Sequence, residues 1–241
     1  MVDVKLDILA IAAHPDDIEL SCAGTLIKHK LQGKKTGILD LTRGELGSRG
    51  NSEIRQQEAM KSAEILNLDA RVGLDLGDGF FEENEESLKE VITHIRRFQP
   101  EIVLCNAISD RHPDHGRASQ LVSRACFLSG LKKVVTVFKD EVQDDWRPKS
   151  VYHYIQDRAI NPDFIVDVTE VYETKIKSIS AFSSQFFDPE SSEPETPISS
   201  LDFWNYIEAR ARSHGRLINV KYGEGFTVER PLGVSDLTAL D

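Results

Sequence analysis

Thiols are scarce in this chain and are not arranged for chemistry. Cys22, Cys105 and Cys126 are the three cysteines in 241 residues. They are odd in number, widely spaced and set among apolar residues, with no C-x-x-C pair. This excludes a paired disulfide framework, so buried free thiols in a reducing compartment are expected. Long apolar runs are missing too: none approaches the roughly 20 residues that a membrane-spanning helix needs, so no membrane partner is expected. The opening MVDVKLDILAIAAH lacks both a basic start and a small-residue cleavage site. It reads as a first strand rather than a targeting segment, and a cytoplasmic location follows by default. Positive charge is in deficit, with 29 Lys and Arg against 40 Asp and Glu and a formal net charge of -11. With no arginine-rich run and no basic stripe, a phosphate backbone would be repelled, which argues against nucleic acid. No G-x-G-x-x-G follows the first strand, which argues against a dinucleotide.

What is present is the composition of an ordinary globular protein, 40% hydrophobic and 29% charged, and its length suits one domain over residues 1–241. DILAIAA at 7–13, TGILDL at 36–41 and EIVLCN at 101–106 read as buried strands, with RVGLDL at 71–76 a weaker one. Leu88, Val91, Ile92, Ile95 and Phe98 recur at helical offsets until Pro100 stops them. Ala118, Leu121, Val122, Ala125 and Leu128 do the same up to Gly130, a C-cap candidate. Strand and helix in alternation predict an α/β fold, a Rossmann-like and mostly parallel sheet with helices on both faces. The second half is less regular. VYHYI at 151–155, FIVDV at 164–168 and a helix carrying Tyr172, Ile176 and Ile179 stand out there. DPESSEPETP at 188–197 is expected to be a mobile surface loop.

Two stretches carry chemistry. AAHPDDIEL at 12–20 places His14, Asp16 and Asp17 directly after the first strand. Asp110, Arg111, His112, Asp114 and His115 follow EIVLCN within a few residues. Ligands of open parallel sheets bind at the carboxyl ends of strands, so the two clusters are expected to face one crevice. One His and one carboxylate from the first turn and one His from the second would supply the three protein ligands of a catalytic zinc. The spare carboxylate would then take a proton from a water that the cation has acidified. Each Asp has a plainer alternative as a helix cap: Asp16 or Asp17 for the helix after the first turn, Asp114 for one beginning near Gly116. The joint occurrence of two clusters at two strand ends favours the metal. His29, His94, His153 and His214 lack such company and are read as structural. The residues alone lead to a metal-dependent hydrolase and leave its substrate open.

AHPDDIEL together with HPDHG resembles the LmbE-like, or N-acetylglucosaminyl-phosphatidylinositol deacetylase, family of zinc enzymes. DLTRGELGSRG at 40–50, Glu53-Ile54-Arg55, DRHPDHG at 110–116, SQF at 184–186 and YGEGF at 222–226 look like the subgroup that deacetylates N-acetylglucosaminyl malate in bacillithiol synthesis. The resemblance implies an LmbE-like deacetylase fold with one Zn²⁺ per chain, held by His14, Asp17 and His115. It implies Asp16 as general base, His112 as oxyanion partner and later acid, and Asp114 as the group orienting His112. It implies homo-oligomers, often hexamers. Arg55 and Arg111 are the expected binders of the malyl carboxylates, since a planar guanidinium suits a carboxylate. Two alternatives stand beside this: a deacetylase of another N-acetyl sugar such as a chitooligosaccharide, and a non-catalytic metal-binding Rossmann-like module.

Overall fold

The computed structural model describes residues 4–188 and 191–239. In chain order the elements are β1 (Ile8–Ala12), α1 (Asp17–Ser21), α2 (Ala23–Leu31), β2 (Thr36–Asp40), α3 (Ser52–Ile65), β3 (Ala70–Gly73), α4 (Glu85–Phe98) and β4 (Ile102–Cys105). There follow α5 (Pro113–Ser129), β5 (Val137–Phe138), β6 (Glu141–Val142), β7 (Ser150–Tyr154), β8 (Phe164–Asp167), α6 (Tyr172–Ser180), α7 (Leu201–Leu217) and β9 (Gly223–Val228). Seven strands form one sheet in the order β3-β2-β1-β4-β7-β9-β8, and β5 and β6 make a separate short hairpin. The pairs from β3 to β7 are parallel, while β9 runs antiparallel to both β7 and β8. The expected α/β architecture with a mostly parallel sheet is therefore what the chain adopts.

Strand β1 shows why the fold is doubly wound. All five of its residues are buried, and alternate side chains enter different cores because strand side chains point to opposite faces. Leu9 and Ile11 join the apolar faces of α4 and α5, including Val91, Ile95, Leu121 and Val122. Ile8 and Ala10 join Leu26 of α2, Tyr172 of α6 and Tyr154. A strand buried on both sides cannot alternate with polar residues, which is why DILAIAA is continuous. Each fully buried Leu, Ile or Phe in these layers contributes about 1.5–3 kcal/mol. All three cysteines are free and buried.

Two buried ion-pair clusters tie helices to the sheet. Arg71 of β3 donates to both oxygens of Asp40 at 2.8 and 3.1 Å and to Glu19 of α1 at 2.6 Å. On the far side, Glu224 of β9 accepts from the main-chain N–H groups of Gly24 and Thr25, from Thr25 Oγ1 and from Lys175 Nζ, all at 2.6–2.9 Å. It thus caps the first turn of α2 while pairing with Lys175 of α6, a favourable place for an anion. The YGEGF stretch is a strand and a helix anchor, away from the clustered histidines.

His94 of α4 is buried against Phe98 and Phe138. Burial, reinforced by Arg97, lowers its pKa to about 4, whereas an unfolded ring titrates near 6.5. Between about pH 6.5 and 4 the unfolded chain takes up a proton that the folded chain refuses, so stability falls as pH falls through this window. His94→Leu, which fits the aromatic surroundings, is expected to flatten that acid limb. Urea midpoints of parent and variant at pH 7.5 and 5 check it; equal acid-induced drops would clear His94 of the effect.

Candidate active site

Strand β1 lies between β2 and β4, and the chain leaves it towards β2, so the carboxyl ends of β1 and β4 flank the switch point of the sheet. The first turn is strained there. Asp16 has φ 117°, a conformation few non-glycine residues adopt and one that persists only where the surroundings enforce it. Asp16 precedes α1 without a capping bond from its side chain, so the capping reading of this residue is set aside. Asp17 Oδ2 instead accepts the main-chain N–H of His14 at 3.0 Å, closing the turn on itself.

The second turn follows β4. Pro113 occupies the first position of α5 and His112 is its N-cap, with Pro suited to a position that needs no N–H donor. His112 Nδ1 accepts the main-chain N–H of Asp114 at 3.3 Å, so its neutral ring carries the proton on Nε2. Asp114, expected to orient His112 and alternatively to cap the helix, does neither with its carboxylate. Because α5 starts at Pro113, Asp114 is already in its first turn, and its side chain is directed at His14 Nε2 (3.3 Å), Gly79 N (2.8 Å) and Arg117 (2.7 Å).

These turns bring His14, His112 and His115 together, with one donor atom of each within 4.8 Å of the others. Asp17 lies between two of them, Oδ1 3.0 Å from His115 Nε2 and Oδ2 3.6 Å from His14 Nδ1. The outer ring nitrogens are spent on carboxylates: His14 Nε2 on Asp78 at 2.9 Å and Asp114, His115 Nδ1 on Asp110 at 2.5 Å. A ring that donates outward turns a lone pair inward. His115 Nε2 and Asp17 Oδ1 are then two acceptors in contact, an arrangement that needs a proton or a cation between them. That is the donor set and the electrostatic demand of a divalent metal site, and imidazoles backed by carboxylates are its usual outer layer.

The charge balance agrees. Burial opposes a charged His115 ring, yet Asp17 and Asp110 outweigh it and hold its pKa at about 9. His14 is likewise held well above the ordinary value against burial, by Asp114, Asp17 and Asp78. His112 moves the other way, lowered by burial and by the two neighbouring rings. For Asp16, burial and the adjacent Asp17 push the pKa up to about 7, with Arg55 opposing them.

A cavity of about 370 Å³ opens over this cluster, lined by His14, Asp16, Asp17, Arg55, Arg111, His112 and His115 among others. Arg55 of α3 is buried beside Gly44 and Gly47, where a Cβ would collide with its guanidinium, and it donates to Gln185. Arg111, with its side chain 50% exposed, pairs with Asp157. Pro197 and Ile198, from the segment read as a mobile loop or next to it, also line the cavity; Pro189 and Glu190 lie outside the described residues. Asp78, Asn106 and Gln156 are site residues that the motifs do not mark, whereas Gln185, the partner of Arg55, lies in the SQF stretch. The histidines read as structural stand apart from the metal cluster. His29 bonds the carbonyl of Thr25, four residues back in its helix, and His153 is buried against Ser119 and Glu229.

The family model described as PIG-L, GlcNAc-PI de-N-acetylase, matches residues 9–126, which contain both turns. The uncharacterised deacetylase YaiS of Escherichia coli is 30% identical over 125 residues, 49% of this chain and 67% of its own. The chain belongs to the PIG-L family of deacetylases. It is accordingly a hydrolytic enzyme of the de-N-acetylase type. The diacetylchitobiose deacetylase of Thermococcus kodakarensis is 29% identical to this PIG-L member over 235 residues, 92% of this chain and 82% of the relative. The conserved protein TT1542 of Thermus thermophilus superposes with a TM-score of 0.85 at 33% identity, covering 96% of this chain and 98% of that one. The PIG-L fold is thus shared over essentially the whole length. No helix among the described residues is long and apolar enough to cross a membrane.

Proposed function

We propose that this chain is a zinc-dependent de-N-acetylase of a small N-acetylglucosaminyl conjugate, with His14, Asp17 and His115 as the metal ligands and Asp16 as general base. The observation that carries this is the pair of inward-facing lone pairs on His14 and His115 with the Asp17 carboxylate between them. His112 is close enough to be a ligand, but the bond from Asp114 N to its Nδ1 leaves an N–H at Nε2. Such a group donates; it does not ligate.

A divalent ion held by His14, Asp17 and His115 would acidify a water and polarise the acetyl carbonyl. Asp16, a buried carboxylate that lines the cavity beside Asp17, is placed to accept the proton of the attacking water. The His112 Nε2–H donates to the acetyl oxygen as negative charge builds on it, which stabilises the tetrahedral stage more than the ground state. Proton transfer to the departing nitrogen then releases the amine and acetate. Both acid assistance and charge stabilisation are needed because an amide is a poor electrophile with a poor leaving group.

For the rest of the substrate, a relative that matches most of both chains is a diacetylchitobiose deacetylase. This supports a short N-acetylglucosamine saccharide over the malate conjugate suggested by the sequence resemblance. The malate reading is retained on one observation: Arg55 and the half-exposed Arg111 both line the cavity. Free-amine release from diacetylchitobiose and from N-acetylglucosaminyl malate, run side by side with zinc-loaded protein, tests the choice. Turnover of the saccharide alone is the expected result, turnover of the malate conjugate alone reverses it, and silence on both sinks both substrate readings. Under the malate reading, Arg55→Ala raises KM for the malate conjugate far more than for uncharged N-acetylglucosamine. Under the saccharide reading it changes both alike.

A further inference from the structure

Asp17 is surrounded by amides that no motif announces. Asn106 directly follows β4 and Gln156 lies two residues beyond β7; their exposures are 0% and 4%. Asn106 Nδ2 donates to Asp17 Oδ2 at 3.0 Å, and Gln156 Nε2 donates to Asp17 Oδ1 at 3.1 Å. The orientation of each amide is fixed by a main-chain donor behind it. Ala13 N–H donates to Asn106 Oδ1 at 2.9 Å, and Ala107 N–H to Gln156 Oε1 at 3.2 Å. A third link, from Asn106 Nδ2 to Gln156 Oε1 at 3.0 Å, joins the two amides. Neither can flip without setting its NH₂ group against a buried N–H.

We infer that Asn106 and Gln156 form a clamp that holds Asp17 as a single-oxygen metal ligand and sets the affinity of the site. The inference rests on the ligand assignment proposed above. An ionised carboxylate offers about four lone-pair positions. On Asp17, Oδ2 accepts from both His14 N and Asn106 Nδ2, and Oδ1 accepts from Gln156 Nε2. What is left is one position on Oδ1, the oxygen beside His115 Nε2. Amide donors also keep the buried carboxylate ionised without placing a second cation next to the metal. Asn106 and Gln156 are positioning residues, since neither belongs to the ligand set. They complete a pattern in which each proposed ligand is backed from behind: His14 by Asp78 and Asp114, His115 by Asp110, and Asp17 by two amides.

The test uses Gln156→Met and Asn106→Leu. Each keeps the side chain's approximate size and adds no charge, while removing the donor to Asp17. Zinc dissociation constants are measured by competition with a chromophoric chelator, and the melting temperature of the metal-free protein is measured alongside. Zinc affinity is expected to fall roughly 10- to 100-fold in each variant, the usual cost of losing a partner behind a metal ligand, while the metal-free protein still melts cooperatively, at a temperature lowered by the main-chain N–H left without its acceptor. Affinity within threefold of the parent in a folded variant overturns the clamp, as does a parent that binds no zinc. If one variant fails to fold, the other carries the test. Acetate release is scored separately: a parent that binds zinc tightly but deacetylates nothing sinks the proposed activity and leaves the clamp standing.

Discussion

Asp16→Asn is expected to keep its metal and lose roughly 10²- to 10⁴-fold in kcat, the range associated with a missing general base. Asparagine is the informative replacement because it matches the volume of Asp and, like Asp, tolerates positive φ. The turn, with Asp16 at φ 117°, should therefore be preserved, so that Asp17 and His14 remain in place. What disappears is a carboxylate that burial and the neighbouring Asp17 hold near pKa 7. Zinc content by elemental analysis and initial rates of amine release check the two halves of the statement. Full activity with bound metal would remove Asp16 from the proton-transfer role, and loss of the metal would recast it as part of the binding site.

The second large effect concerns folding and lies far from the chemistry. Glu224→Ala removes the partner of Lys175 and the acceptor for two main-chain N–H groups at the start of α2. Lys175 is fully enclosed, and burial already pulls its pKa down against the support of Glu224. Breaking a buried pair by deleting one member leaves an uncompensated charge, and the expected loss is about 3–5 kcal/mol. Urea unfolding followed by circular dichroism measures it. A loss below about 1 kcal/mol would mean that water reaches Lys175 and takes over from the carboxylate.

These two residues also show what could be learned from the sequence. The elements near the site were legible because their patterns are local. DILAIAA, TGILDL and EIVLCN are continuous apolar runs and became β1, β2 and β4. The spacing of Leu88 through Phe98 became the buried face of α4. The two histidine motifs were legible because residue type and position after a strand are both visible in one dimension. Asp78, Asn106 and Gln156 were not, since an Asp between glycines or a lone amide after a strand has no distinctive pattern. Their meaning comes only from what the sheet places opposite them. The direction of β9 was hidden for a related reason: YGEGF matched a family pattern, and nothing in it shows that Glu224 reaches across to α2. The β5–β6 hairpin, two residues per strand, is too short to leave a period.

Strand β1 pairs with β4 from Ile8 opposite Ile102 onward, and His14 and Asp114 are a hundred residues apart. Parallel pairing over such a separation is among the slower events in folding, because a long loop must close before any contact rewards it. Before that pairing, HPDD and HPDH are two distant peptides with no shared geometry, and the amide of residue 106 has no carboxylate to meet. The proposed metal site therefore cannot assemble before β1 and β4 have paired. A cation that binds only the finished arrangement would stabilise it by mass action, so under the proposed ligand assignment metal supply would act on the abundance of the folded protein as well as on its turnover.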